Sequence, residues 1–182
     1  MKPLLEIRDV ALIRGERTLF EGLQLRLDPG EAIHLTGPNG SGKSSLIRLV
    51  AGLLRATSGF IERAEAALAD DGLALDGELP LGKALAFWRL PHLQQSLERL
   101  NLSDLARVPV RLLSTGQAKR AVLVRVLGSG APLWLLDEPL NGLDRQGLGA
   151  LEDAIRAHRK NGGAVLAASH VPMGGSWREL GL

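Results

Sequence analysis

The chain has 182 residues, 22 of them basic and 20 acidic, so its net charge is only +2, and it contains no cysteine. This length suits one domain with a sizeable core. The near balance of charge argues against a nucleic-acid binder, and the lack of cysteine excludes disulfides and thiolate metal sites. No run approaches the roughly 20 apolar residues of a membrane span, and the N-terminus mixes charged with apolar residues, unlike a signal peptide. Any role at a membrane would therefore require a partner.

The first predicted elements are strands at 4–13 and 23–27, which would belong to an edge sheet. In the second, apolar and polar residues alternate from Leu23 to Leu27, and a turn around Pro29 follows. The residues between these strands, 14–20, are predicted to form a polar turn. An apolar segment at 31–36 predicts a third strand.

A glycine-rich segment after the third strand fits the phosphate-loop pattern G-x-x-x-x-G-K-[ST]. A helical pattern of apolar residues follows it, so the segment joins a strand to a helix start, where backbone amides and the helix dipole bind anions. The lysine would reach the β- and γ-phosphates of a nucleotide, and the first serine after it would ligate Mg²⁺. The loop comprises Gly37, Pro38, Asn39, Gly40, Ser41, Gly42, Lys43, Ser44 and Ser45.

The middle of the chain is predicted to be mainly helical. Short apolar pieces at 60–63 and 66–69 lead into a polar loop at 70–80, and a helical pattern then runs to about residue 105, broken at Pro91. Further on, Ser114 and Gln117 form an S-x-x-Q capping box that opens another helix. Since this region lacks strands, we expect an inserted helical subdomain at about 81–129.

Two later strands are predicted to end in candidate catalytic residues. The apolar run at 133–136 ends in Asp137 and Glu138, and after a helix at about 145–160 the last predicted strand, 164–169, leads to His170. The carboxyl ends of parallel strands share one sheet edge, so these residues and the phosphate loop should converge on one nucleotide. Asp137 would hold Mg²⁺ through water and Glu138 would act as general base. His170 considered alone could equally be a strand-end imidazole without a task.

The other histidines have no companions at metal-ligand spacing and are interpreted as structural or surface residues. They are His34, His92 and His158.

The order and spacing of these motifs resemble those of the ATPases of ABC transporters. The segment Leu-Ser-Thr-Gly-Gln at 113–117 distinguishes this family from other phosphate-loop NTPases, and the likeness covers essentially the whole chain. The resemblance implies an α/β fold with a mainly parallel central sheet, an antiparallel edge sheet and the helical subdomain. Residues 1–182 would be one ATPase domain with a catalytic core of 1–80 and 130–182, hydrolysing Mg-ATP to ADP and phosphate.

The resemblance also implies a head-to-tail homodimer with two ATP molecules between the copies. The γ-phosphate held by Lys43 and clamped by His170 would meet the signature residues of the other copy, and Asp144 would lie in the loop that couples the two sites. The signature residues are Ser114, Thr115, Gly116 and Gln117.

Smaller features resemble one branch of the family, the haem-exporter ATPases of cytochrome c biogenesis. They include Arg17-Thr18-Leu19-Phe20, Val108-Pro109-Val110 and an ending soon after His170. This implies integral membrane partners that handle haem, a peripheral position on the cytoplasmic side of the inner membrane, and no nucleic-acid partner. The alternatives are the ATPase of another small ABC transporter, a soluble non-transport ABC ATPase, or a weakly hydrolytic nucleotide-binding partner.

Two positions depart from the family pattern. Where many relatives stack an aromatic ring on adenine, this chain has Arg14, which could stack its guanidinium on the base or be an ordinary surface arginine. Where a glutamine or histidine usually touches Mg²⁺ and signals to the membrane subunit, this chain has Asp70 and Asp71. Asp71 could ligate Mg²⁺ directly, or the contact could be lost.

Overall fold

A computed structural model describes residues 2–70, 72 and 75–182. Three antiparallel strands form one sheet in the order β2-β1-β4: β1 is Leu5–Arg14, β2 is Arg17–Leu27 and β4 is Ser58–Arg63. The predicted polar turn at 14–20 is wrong in extent, because only Gly15 and Glu16 separate β1 from β2. Thr18 and Phe20 pair across the hairpin with β1, as expected of residue types that favour strands.

Among the residues that the structure describes, five parallel strands form the second sheet, in the order β5-β6-β7-β3-β8. They are β3 (Ala32–Thr36), β5 (Ala66–Ala69), β6 (Leu133–Asp137), β7 (Ala164–Ala168) and β8 (Arg178–Gly181). The sequence did not predict β8. This strand is polar and mostly exposed and lies at the sheet edge beside β3, so it lacks the apolar run by which the buried strands β6 and β7 were recognised.

Within the described ranges, five α-helices connect the strands: α1 (Lys43–Val50), α2 (Leu81–Ala86), α3 (Leu93–Arg99), α4 (Thr115–Gly128) and α5 (Arg145–Lys160). Short 3₁₀ turns lie at Ser103–Leu105 and Val110–Leu112. The predicted break near Pro91 separates α2 from α3, and the predicted capping box opens α4. In the part of the chain that the structure describes, no helix is long and apolar enough to cross a membrane.

The two faces of the parallel sheet bury two different cores. Leu133, Leu135 and Leu166 point into a core shared with α1 and the antiparallel sheet. Trp134 and Val165, their neighbours along the strands, point into a core shared with α2 to α5. This alternation is the period of two of a β-strand, and it places helices or a sheet on both faces of every central strand. The division into a catalytic core and a helical subdomain at about 81–129 stays a prediction.

A stacked pair of rings lies near the amino-terminal end of β6. The ring of His158, on α5, lies flat on Trp134 with ring centroids 3.8 Å apart and an interplanar angle of 8°. Its Nε2 is 3.1 Å from the carbonyl oxygen of Pro132. Burial lowers the pKa of His158 below its usual value, because the charged imidazolium is disfavoured away from water.

This burial makes stability depend on pH. The folded-state pKa of His158 lies below the unfolded value of about 6.5, so this residue contributes its full stabilisation to the free energy of unfolding above pH 6.5. That stabilisation is lost as the pH falls through the folded-state pKa. We therefore expect the difference in unfolding free energy between wild type and His158→Leu to shrink from pH 7.5 to pH 5.5. Urea melts at both pH values measure it, and a difference that grows on acidification would contradict this account.

Candidate nucleotide site

The phosphate loop joins β3 to α1 in the predicted strand-loop-helix arrangement. Gly42 precedes the helix with a positive φ of 112°, a left-handed conformation that glycine adopts at little cost. Lys43 opens the helix and is only 7% exposed. Its Nζ donates to the carbonyl oxygens of Gly37 at 2.7 Å and Pro38 at 3.0 Å, which folds the ammonium back over the loop.

Two details of the loop fit an oxyanion. The Oγ of Ser41 is buried and has no hydrogen-bond partner among the described residues, so it is available to a phosphate oxygen. Gly37 has φ 137°, and a Cβ there would lie 2.5 Å from the carbonyl oxygen of Leu182. Glycine is therefore required at Gly37 if Leu182, the residue that follows β8, is to pack against the loop.

The predicted Mg²⁺ ligands Ser44 and Asp137 lie together. The Ser44 hydroxyl donates to Asp137 Oδ1 at 2.8 Å, and Asp137 ends β6 at 6% exposure. The described residues contain no cluster of three or more His, Asp or Glu that could hold a metal alone. Hydroxyl and carboxylate oxygens nevertheless fit Mg²⁺, which typically takes few protein ligands and completes its shell with phosphate oxygens and water. The other candidate, Asp71, falls outside the described residues.

The structure brings Glu138 and His170 into direct contact. Glu138 adopts a left-handed φ of 47°, and its backbone N–H donates to the Ala168 carbonyl at 2.8 Å. Its Oε2 lies 2.8 Å from Nδ1 of His170 and also accepts the backbone N–H of that residue at 3.4 Å. With Nδ1 engaged, Nε2 is the ring nitrogen left for a substrate oxygen. A strand-end imidazole without a neighbour is therefore not what the structure shows.

A cleft of about 390 Å³ lies over the loop and includes Glu138 in its wall. The β1–β2 hairpin supplies the opposite wall through Arg14, Arg17 and Leu19. The hairpin packs on the loop closely, since a Cβ at Gly42 would lie 3.3 Å from the ring of Phe20. Sequence reasoning placed Arg14 at this cleft but missed Arg17, which it assigned to a turn. The signal for a strand here was the β-branched Thr18 and the aromatic Phe20, residue types that favour strands, and such a strand would bring Arg17 to the site as a second cation.

The signature residues lie outside the set that lines this cleft. Ser114 caps α4: its Oγ accepts the Gln117 N–H at 3.3 Å, and Gln117 Oε1 accepts the Ser114 N–H at 2.9 Å, which confirms the predicted capping box. Thr115 and Gly116 form the first turn of the helix. The N–H groups at the start of a helix are of the kind that bind anions.

Asp144 lies against the same helix end and caps α5. Its Oδ1 accepts the Gly147 N–H at 2.8 Å, and a Cβ at Gly116 would lie 3.1 Å from Oδ2. The buried Arg120 donates to that Oδ2 at 3.3 Å and to the Leu100 carbonyl at 2.7 Å. Sequence reasoning missed Arg120. The available signal was its position in α4, directly before the run of apolar residues that this helix buries. The arginine ties the signature segment to the loop of Asp144.

The three remaining histidines do not line the cleft. His158 lies at the far edge of the sheet, His92 is exposed beside α3, and His34 is buried in β3 at 5% exposure. The structure thus gives two of them packed positions, as the sequence interpretation expected.

Residues 20–141 match the ABC transporter family. A cytochrome c biogenesis ATP-binding export protein CcmA from Novosphingobium aromaticivorans is 56% identical, over 91% of this chain and 87% of that protein. A protein of the same name from Sphingopyxis alaskensis is 52% identical over 93% and 91%. A solved structure described as the ATP-binding subunit of an ABC transporter superposes with a TM-score of 0.82 at 25% identity, covering 92% of this chain and 80% of that one.

The chain therefore belongs to the ABC transporter family, and within it to the cytochrome c biogenesis ATP-binding export proteins. The predicted fold and the prediction of an ABC-type ATPase are confirmed. The protein is an ATP-binding subunit that works with membrane transporter partners.

The tie between Arg120 and Asp144 should be important for stability. Replacing Arg120 with Met leaves the buried Leu100 carbonyl without its donor and removes the cation beside Asp144, so we expect a loss of about 3 kcal/mol in unfolding free energy. Arg156→Met is the matched control, since its pair with Asp153 is exposed and should contribute less than about 1 kcal/mol. Urea melts measure both, and equal losses would contradict the assignment.

Proposed function

We propose that this chain is the ATP-hydrolysing subunit of an export complex in cytochrome c biogenesis. It would act on the cytoplasmic face of the inner membrane, where its integral membrane partners handle haem. The observation that carries the hydrolytic part is the Glu138–His170 contact at 2.8 Å, beside the Ser44–Asp137 pair and the phosphate loop. The relatives named for cytochrome c biogenesis support the export role.

The loop and Lys43 would hold the β- and γ-phosphates, with Ser41 Oγ as an additional donor. Ser44 would ligate Mg²⁺ directly and Asp137 would hold it through water. When bound, the ion supplies charge neutralisation for the phosphates. The β1–β2 hairpin would cover the base, and the guanidinium of Arg14 or of Arg17 can stack on adenine there.

Glu138 would act on the attacking water. While Oε2 is held by His170, Oε1 remains to accept a proton as the water oxygen bonds to the γ-phosphorus and the bond from that phosphorus to the bridging oxygen breaks. ADP then carries away the bridging oxygen, and phosphate leaves with the new one. His170 would orient the carboxylate and contact the γ-phosphate through Nε2. A positioned base typically contributes about 10²–10⁴-fold to such a step.

A second copy would complete the site. The signature residues Ser114 and Gly116 lie away from the cleft of their own chain, and their capped helix end presents N–H groups outward. A head-to-tail homodimer would place this end over the γ-phosphate held by Lys43 of the other copy. Asp144, in contact with the signature segment, would then connect the two sites.

An exposed aromatic pair supports a protein partner. Phe87 is 80% exposed and meets Trp88 edge-to-face at 5.7 Å. The guanidinium of Arg125 covers the Trp88 ring at 3.8 Å, which fixes the orientation of this ring. Phe and Trp are enriched in protein–protein interfaces relative to the rest of a protein surface. We assign the surface formed by Phe87 and Trp88 to the membrane subunit.

The role of the base is tested with Glu138→Gln. The amide cannot take a proton, so we expect ATP turnover to fall about 10²–10⁴-fold while ATP binding persists. Because hydrolysis no longer opens the complex, the variant should accumulate as an ATP-bound dimer. Phosphate release and light scattering at saturating Mg-ATP measure the two effects. Unchanged turnover would refute Glu138 as base, and a monomer would refute the dimer.

The partner surface is tested with Phe87→Ser. We expect the ATPase rate of the assembled membrane complex to fall about fivefold, because the variant loses a large apolar contact, while the rate of the isolated subunit stays the same. Phe60→Ser is the matched control, since Phe60 is 57% exposed on β4. If Phe87→Ser and Phe60→Ser change the ATPase rate of the complex equally, the surface of Phe87 and Trp88 is not the contact with the membrane subunit.

A further inference from the structure

His34 is a buried titratable residue that hydrolysis as described above does not use. It lies in the middle of β3, the strand that leads into the phosphate loop, and is 5% exposed. Its Nε2 is 2.9 Å from the carbonyl oxygen of Ser169. Ser169 is itself 3% exposed and immediately precedes His170.

That carbonyl lies just past the end of the sheet ladder. The pairing of β3 with β7 ends at Leu35 and Ala168, so Ser169 has no strand partner there among the described residues. A buried backbone carbonyl without a donor costs free energy comparable to a lost hydrogen bond. The His34 ring supplies the donor, which requires the tautomer with the proton on Nε2.

Three successive residues are thereby held at the end of β7. The Ala168 carbonyl accepts the Glu138 N–H at 2.8 Å, the Ser169 carbonyl contacts His34, and the His170 ring contacts the Glu138 carboxylate. Two of these contacts come from the residue proposed as the base. The third comes from the strand that carries the phosphate loop.

The ring of His34 also meets the far end of the segment that follows His170. Trp177 lies edge-on to it with centroids 6.3 Å apart, and Trp177 Nε1 donates to the Gly174 carbonyl at 2.9 Å. His34 is thus in contact with the residues on both sides of the loop from 170 to 176. A shift of the His34 ring would therefore alter contacts at both ends of that loop.

We propose that His34 is a positioning residue, which holds the Ser169 carbonyl and so sets His170 against Glu138 and the γ-phosphate. This inference rests on the proposed role of His170 in hydrolysis. The strand β3 then has two roles. It leads into the phosphate loop, and through His34 it positions His170, the residue proposed to contact the γ-phosphate. His34 is not among the residues that line the cleft over the phosphate loop, so its effect should appear in turnover rather than in ATP affinity.

The test compares two substitutions at this position. His34→Leu keeps a similar volume but removes the donor, and we expect kcat to fall about tenfold with little change in the Kd for ATP. His34→Gln can place an amide N–H where Nε2 lies and should restore most of the rate. In the His170→Ala background, His34→Leu should cause no further loss, because the residue it positions is gone.

His158→Leu is the matched control. It removes another imidazole that bonds a backbone carbonyl: the half-buried ring of His158, whose Nε2 is 3.1 Å from the Pro132 carbonyl oxygen at the amino-terminal end of β6. This variant should lose stability yet keep kcat within twofold. If His34→Leu and His158→Leu lower stability alike and leave kcat alike, the positioning role is overturned.

Different results would refute the proposed role of His170 in hydrolysis and the positioning role of His34. If His170→Ala keeps the wild-type rate, the proposed role of His170 falls. If His170→Ala is slow but His34→Leu is not, only the present inference falls. Should His34→Leu not fold, ¹⁵N NMR of the imidazole rings in the wild-type protein decides: a proton on Nε2 of His34 supports the contact, and a proton on Nδ1 alone overturns it.

Discussion

The hydrogen bond between the ends of β6 and β7 is the constraint on which the site depends. The Glu138 N–H extends the pairing of β6 with β7 by donating to the Ala168 carbonyl, and Glu138 itself then turns into the left-handed region directly after β6. A non-glycine residue there is uncommon, and the cost is of the order of 1 kcal/mol. This turn ends the strand direction at Glu138 and directs its carboxylate toward His170.

The parallel sheet explains why the other parts of the site converge on that point. β3, β6 and β7 are adjacent, and all three end at the same edge. Their last residues lead into the phosphate loop, into Asp137 and Glu138, and into His170. Both faces of these strands are buried in separate cores, so the positions of the strand ends are set by packing on both sides. The loops that hold the proposed catalytic residues therefore begin at strand ends whose positions are fixed by packing.

The sequence predicted the parts of the protein whose signals are local. The phosphate loop, the capping box of Ser114 and Gln117, and the strand that ends in Asp137 each need only a few neighbouring residues to be recognised. Arg120 and β8 were missed because their roles arise from contacts with distant parts of the chain. Arg120 is explained by Leu100 and Asp144, and β8 by its pairing with β3. The contact of Glu138 with His170 follows from strand order, which no local pattern gives.

The packing of Leu182 against Gly37 has a consequence for the order in which the protein is made. The phosphate loop leaves the ribosome early, but the carbonyl that lies against its first glycine belongs to a residue added much later. β3 likewise lacks one neighbouring strand until β8 has been synthesised. Contacts so distant in sequence form late, because the chain between them must be ordered first. The nucleotide site of this chain is thus completed only after residues 178–182 have been synthesised, long after its most recognisable motif has been exposed.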